Sequence, residues 1–391
     1  MSRPIADTPP LAAEQESREK PSVSWSPLSL EMQLWIEVAL LVGFGLIMIY
    51  SASSIMALKR FSDPSYYMKR QFLCIGLGLV VALVSSRFPY RMYRQYVGWM
   101  FLATILALIL VLIPGLGVKV NNARRWFQIL GFSLQPGEYA KVVWILFLSV
   151  SIVKKQDRIK KLSVSFYPHM FLCGIMGVLL LKEPDFGTTF LIGCLTMILM
   201  AVGGVPCRTI FMLAPFVALF FYKFVYLVEY RWERITAFLD PWGDQLGSGY
   251  QLIQAWIAVG SGGLFGKGLG AGQQKLFYLP ESYTDFIMAV VGEELGFMGI
   301  ATVCLLFFFL YRTGIKISKS APDLLGALMA LGLTMMLSLQ ALLNMSVVLG
   351  LIPTKGLPLP FISYGGSAFL ANCLAVGILM NIAKSGDTRV E

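Results

Sequence analysis

The chain has 391 residues, of which 57% are hydrophobic and only 14% charged, with a net charge of +10 and a mean hydropathy of +0.69. Runs such as 96–113 and the uncharged stretch 324–351 are long enough to cross about 30 Å of hydrocarbon, which excludes a soluble fold. They are continuous, where the strands of a membrane β-barrel would alternate, so helices are expected.

Residues 1–32 are rich in Pro, Ser and Glu and lack an apolar segment. They read as a disordered cytoplasmic tail, not a signal peptide. The membrane domain follows at 33–384, with spans expected at 33–52, 69–87, 96–113, 138–153, 166–182, 187–204, 208–228, 285–311, 322–351 and 361–384. The stretch KEPDFG (182–187) carries Pro184 and Gly187 between two short spans, so these form either a hairpin or two crossings. One long loop, 229–284, separates the seventh and eighth spans and carries the Gly-rich segment GSGGLFGKGLGAG. Residues 385–391 form a C-terminal cytoplasmic tail. The expected fold is an all-α polytopic membrane protein of about ten transmembrane helices, with both termini cytoplasmic.

Orientation follows the cations of the short loops. KKQDRIKK (154–161) is the densest cluster, and Arg87, Arg91 and Arg94, then Arg312, Lys316 and Lys319, mark loops of the same parity. Those loops face the cytoplasm. Loops 114–137, 229–284 and 352–360 face outward and carry nearly as many cations. Lys69, Arg70 and Lys223 fit snorkelling side chains at span ends. Lys119, Arg124 and Arg125 sit mid-loop beside Trp126, which favours an anionic ligand outside the membrane. The cations are dispersed among apolar spans, and no nucleic-acid partner is expected.

The six cysteines lie in or beside apolar spans without metal spacing and read as buried thiols. His169 is the only histidine, which excludes a His-pair metal site. A P-loop would need Gly where Ser261 stands and Ser or Thr where Gly268 stands. The glycosylation-like NMS at 344–346 lies inside a span.

Four outward segments concentrate polar residues beside the membrane: 121–141, 182–189, 278–286 and 350–367. Pro/Gly-interrupted backbone at that depth must be buried in protein or line a wet cavity, so the four should share one outward cavity. YTDFIMAVVGEELG (283–296) brings Asp285 to the doorstep of the eighth span and carries Glu293 and Glu294 into it. Acids in a bilayer are costly and are functional candidates by default. Two readings of Asp285 stay open: an ordinary acid favoured by the helix dipole, or a functional carboxylate. Glu293 and Glu294 lie about 12–13.5 Å deeper. They read as paired supports, or as part of a polar path. Glu138 and Lys141, one turn apart, form an intrahelical ion pair, or Lys141 turns to orient Asp285.

Taken together, MIYSASS (48–54), ARRWF-x-x-LGFSLQP-x-E-x-AK, EPDFGTT, FLDPW-x-D-x-x-GSGYQ, GGLFGKGLG, LPES-x-TDFI-x-A-x-VGEELG and PTKGLPLPFISYGGS resemble the SEDS family (shape, elongation, division and sporulation), most closely its cell-division branch. The resemblance runs over roughly residues 40–384. It implies a ten-span peptidoglycan glycosyltransferase that polymerises lipid II with inversion and works with a class B penicillin-binding protein and other divisome proteins. An older proposal makes such proteins lipid II flippases, and a non-catalytic divisome scaffold is a further alternative.

By position, the resemblance places the catalytic acid on Asp285 and substrate-binding groups on Arg124, Arg125, Trp126 and Lys141. Glu138, Thr284, Glu293 and Glu294 are expected as supports. Three positions depart from the family pattern: Tyr283 stands for His, Gly137 for Ser and Asn122 for Gly. Tyr283 leaves no imidazole beside Asp285. No cofactor is evident; a divalent cation (Mg2+ or Mn2+) would suit a pyrophosphate leaving group, but no ligand set can be read. The long N-terminal tail leans toward division, hence toward the septum of the inner membrane.

Overall fold

The structure is a computed structural model. It describes residues 28–120, 123–129, 131–206, 208–209, 219, 222–276, 278–353 and 356–387. Its helices are α1 Leu30–Phe61, α2 Tyr66–Arg87, α3 Tyr93–Leu112, α4 Pro136–Lys154, α5 Tyr167–Lys182, α6 Phe186–Val202, α7 Glu229–Leu239, α8 Tyr250–Gly262, α9 Ile287–Ser320, α10 Leu324–Val348 and α11 Gly366–Asp387. Among the described residues eight of these, α1–α5 and α9–α11, are long and apolar enough to cross a membrane, and α6 is a shorter apolar helix. The span expected at 208–228 falls mostly outside the described residues, as does nearly all of the N-terminal tail.

Several boundaries differ from expectation for local reasons. α9 runs on to Ser320 past Arg312 and Lys316, because long cationic side chains do not end a helix that leaves the bilayer. The tenth span begins only at Gly366, because Pro358 and Pro360 keep the preceding segment out of helix. α1 starts at Leu30, where Ser29 accepts the Met32 amide at 3.2 Å.

α4 and α11 are the most buried spans and α2 and α3 the least. On α4 the buried Trp144 donates Nε1–H to Thr196 Oγ1 of α6 at 2.8 Å, and Phe147 stacks on Phe101 of α3 at 4.5 Å. α2 lies against α11 with backbones nearly touching. A methyl group added at Gly377 would sit 2.5 Å from the Ala82 carbonyl oxygen. Such small-residue contacts are how helices gain van der Waals packing in lipid. At the turn between α9 and α10, Asp323 caps α10 through the Gly326 amide at 2.8 Å. It also accepts from Arg91 Nε at 3.0 Å, joining the α2–α3 turn to the α9–α10 turn.

The all-helical expectation needs one correction. Loop 114–137 contains an antiparallel sheet of three strands, β1 Val118–Val120, β2 Ala123–Ile129 and β3 Phe132–Leu134. The run ARRWFQI is rich in β-formers, and Gly131 supplies the positive φ (82°) for the turn after it. Arg70 was expected to snorkel; it donates instead to the Gly131 carbonyl and pins that turn to α2. Lys69 pairs with Asp63 at 2.8 Å.

α9 is broken at Gly296, whose φ of 66° and ψ of −159° interrupt the helix. In an unbroken helix the amides of Phe297 and Met298 would bond the carbonyls of Glu293 and Glu294. Here the loop after α8 takes both sides of the gap. Lys267 and Gly268 donate their amides to Glu293 O (3.0 Å) and Glu294 O (2.9 Å), while Gly263 O and Leu264 O accept from Phe297 (2.9 Å) and Met298 (3.1 Å). These four backbone groups freed by the break are paired again, as burial at membrane depth demands.

Candidate active site

The four outward segments do converge, and they converge on Asp285. Three successive carbonyls just before α9 are held by other segments of the chain. Tyr364 donates its amide to Tyr283 O at 3.0 Å. Ser363 Oγ donates to Thr284 O at 2.6 Å. Asn344 Nδ2 of α10 donates to Asp285 O at 2.7 Å and to Leu357 O at 2.8 Å. The backbone that carries the carboxylate is therefore fixed by segment 357–364 and α10. Gly356 lies directly against the carboxylate, where an added methyl would be 3.2 Å from Oδ2.

Burial pushes the Asp285 carboxyl up to about 7, with Glu281 and then Asp185 adding to the rise while Arg125 and Arg234 oppose it. Thr284 Oγ1 donates to Glu281 Oε2 at 2.8 Å and so holds this second acid in place.

Lys141 does not reach Asp285. Its ammonium is fully buried and donates to Glu138 Oε2 at 2.8 Å and to Gln340 Oε1 at 2.7 Å. Gln340 in turn donates to Pro358 O at 2.8 Å. Of the two readings of Lys141, the intrahelical ion pair with Glu138 is the one formed, linked through α10 to the segment that braces Asp285. The opposing charges on Asp285 come from arginines instead.

Arg124 and Arg125 separate. Arg124 lies opposite Lys119 of β1, and Arg125 is the extra residue of a bulge between Arg124 and Trp126, with its guanidinium 6.0 Å from the centre of the Trp126 ring. Arg125 donates Nε to Glu183 O at 2.6 Å and Nη2 to Pro184 O at 2.7 Å. Arg231 of α7 donates to Leu181 O at 3.1 Å from the far side. Two guanidinium groups therefore clamp the turn between α5 and α6. Within that turn Asp185 caps α6 through the Thr188 amide at 3.0 Å. Glu183 is fully buried, and neither carboxyl oxygen has a hydrogen-bond partner among the described residues. Burial, and then Asp185, push Glu183 up to about 9, against the pull of Arg125.

Residues 31–388 match the family model described as "Cell cycle protein" (FTSW_RODA_SPOVE). The chain belongs to the FtsW/RodA/SpoVE family. It is 46% identical over 362 residues to a probable peptidoglycan glycosyltransferase FtsW of Trichlorobacter lovleyi, covering 90% of this chain and 93% of that one. It is 41% identical to stage V sporulation protein E of Bacillus subtilis, covering 91% and 97%. Among solved structures it resembles one described as "Structural coordination of polymerization and crosslinking by a peptidoglycan synthase complex", with a TM-score of 0.74 and 27% identity over 90% of this chain and 97% of that one. The rod shape determining protein RodA of Thermus thermophilus matches with a TM-score of 0.65 and 26% identity, covering 90% and 95%.

At the position where the FtsW/RodA/SpoVE resemblance led to the expectation of His, Tyr283 joins an aromatic cluster. Its ring lies 4.7 Å from Tyr67 and its hydroxyl bonds Tyr67, not Asp285. Burial, followed by the bond to Tyr67, raises its pKa, so it stays a neutral phenol. Glu293 and Glu294 are wholly engaged by the loop that bridges the α9 break. Glu293 accepts from Lys267 Nζ (2.9 Å) and the amides of Gln273 (2.8 Å) and Gln274 (3.1 Å). Glu294 accepts from Lys275 Nζ (2.6 Å), Ser51 Oγ (2.6 Å) and the Gly270 amide (3.0 Å). Among the described residues no three His, Cys, Asp or Glu side chains group to hold a metal ion.

Sequence reading did not single out Glu183, Asp185, Glu281, Arg234, Gln340 or Asn344. A signal existed for some of them. Two acids in a Pro/Gly-broken turn, and an amide pair four residues apart in an uncharged span, are both costly placements in a bilayer.

Proposed function

We propose that this chain is a peptidoglycan glycosyltransferase that polymerises lipid II at the outer face of the cytoplasmic membrane. The observation that carries the reading is Asp285: a carboxylate at the membrane boundary, braced through three backbone carbonyls, with its pKa near neutrality. A base with that pKa is both ionised and basic enough at physiological pH.

In the proposed reaction Asp285 removes the proton from an acceptor sugar hydroxyl as its oxygen attacks the anomeric carbon of a lipid-linked sugar. The anomeric C–O bond to pyrophosphate breaks and polyprenyl pyrophosphate leaves as a stable anion, so no acid is needed for departure. One carboxylate acting as base fits direct displacement with inversion. Base catalysis supplies roughly 10²–10⁴-fold. Arg124, which takes no part in the clamp, and Trp126, beside the Arg125 guanidinium, are the groups we assign to the anionic lipid substrate. Arg125 instead holds the acidic turn and lowers the pKa of Asp285. A class B penicillin-binding protein is the partner we infer, and the division septum the site of action.

A transporter reading would require Glu293 and Glu294 to carry protons or substrate through α9. Both are saturated by lysines, amides and a hydroxyl, which favours the enzyme. The test is polymerisation of lipid II by the purified protein with its partner penicillin-binding protein. Asp285→Ala should yield no glycan strands while folding and partner binding persist. Normal strands from that variant would remove Asp285 as base, and lipid II scrambling in liposomes without polymer would support a flippase.

A further inference from the structure

We propose that the cytoplasmic ends of α3 and α4 form a binding site for an anionic phospholipid of the inner leaflet. The site stands apart from Asp285 and does not depend on the reading of that centre. α3 begins and α4 ends at the same face, and the two helices pack side by side. Between them lies a groove of about 410 Å³.

Its lining is graded along the membrane normal. Arg94, Gln95, Ser151 and Lys154 line it at the helix ends, while Val97, Trp99, Leu102, Phe147 and Val150 line it deeper in the bilayer. At 1.5 Å per residue, Leu102 lies about 12 Å below Arg94. That gradient matches a phospholipid, with its phosphate at the helix ends and an acyl chain running down the apolar wall. The middle of the groove passes Gly98, where an added methyl would meet no atom within 4 Å.

Charge selects the headgroup. Arg94 and Lys154 are exposed, and among the described residues neither makes an ion pair or a side-chain hydrogen bond. Lys155, Arg158, Lys160 and Lys161 follow immediately and add to the positive potential. A zwitterionic headgroup brings its own ammonium to its phosphate, whereas an anionic one leaves the phosphate charge for Arg94 and Lys154. Basic pockets between helices on the cytoplasmic side recognise anionic lipids in this way.

The experiment is native mass spectrometry of the full chain titrated with phosphatidylglycerol or phosphatidylethanolamine. Arg94→Ala with Lys154→Ala should weaken phosphatidylglycerol retention about ten-fold or more, as two charges near a lipid phosphate imply. Gly98→Phe, which fills the groove and keeps both cations, should weaken it as well. Arg158→Ala with Lys160→Ala removes the same charge from beside the groove and should weaken retention far less, because neither residue lines it. Equal retention of the two lipids by the unaltered protein would overturn the proposal. So would an equal loss in the Arg158/Lys160 control, which would mean diffuse attraction. A loss in Gly98→Phe alone would mean a groove indifferent to charge, and also overturns it.

Discussion

Asn344 donates its side-chain amide to the carbonyl oxygen of Asp285 at 2.7 Å, across 59 positions of sequence. The same amide nitrogen also donates to Leu357 O. One side chain near the C-terminal end of α10 thereby ties the carboxylate-bearing backbone to the segment beside it. Near-attack geometry tolerates little slack, and a misplacement of about 1 Å can cost roughly 10²-fold in rate.

Asn344→Ala should therefore lower kcat for lipid II polymerisation by about 10²-fold with little change in KM. Asn344→Gln should recover part of the loss. Steady-state kinetics on both variants check this; an unchanged kcat would show that Ser363 and Tyr364 suffice to hold the backbone.

The pH profile follows from the Asp285 pKa. A general base works ionised, so polymerisation should rise with pH up to about 7 and then level. Glu281→Gln removes a neighbouring negative charge and should move the limb to lower pH. Arg234→Gln should move it to higher pH. The rate limb must be compared in the same detergent and at fixed ionic strength, because salt screens both neighbours.

Glu183 makes an opposite kind of prediction, about stability. Its folded-state pKa of about 9 lies above the ordinary carboxylate value of 4.5. The folded protein then holds a proton that the unfolded chain releases, and stability falls as pH rises between those two values. Glu183→Gln mimics the protonated acid. It should leave the melting temperature unchanged near pH 4 and raise it at pH 8, by the equivalent of about 1–3 kcal/mol. Calorimetry at both pH values decides it.

Lys141 and Glu138 test the buried pair. Lys141→Ala leaves a buried carboxylate without its counter-ion and should destabilise the protein by about 3–5 kcal/mol. The double change Lys141→Met with Glu138→Gln removes both charges and should restore most of that loss. Melting curves of the single and double variants separate an ion-pair role from a substrate contact. A well-folded but inactive double variant would point to the latter.

Much of this architecture could be read from the chain. Apolar runs located the spans because lipid demands them, and Pro/Gly-broken polar segments located the cavity because only protein or water can satisfy such backbone. Asp285 was legible for the same reason. Its partners were not. Whether Lys141 meets Glu138 or Asp285 depends on rotation of α4 about its axis, which a continuously apolar helix does not encode. Arg124 and Arg125 looked alike until the loop proved to be a bulged strand, in which Arg125 is the one that donates to the Glu183 and Pro184 carbonyls. Gln340 and Asn344 lay hidden in a span whose hydropathy is dominated by leucine and methionine.

The break at Gly296 means that α9 is two rods joined by a coupling. The stub running from Ile287 to Leu295 is joined to the following rod through the non-helical Gly296 and through a loop whose residues 263–268 exchange four backbone hydrogen bonds across the gap. Bending stiffness at that joint belongs to a loop that is distant in sequence. A one-residue insertion between Gly263 and Lys267 would re-aim the stub, and Asp285 with it, while every residue of α9 stayed the same.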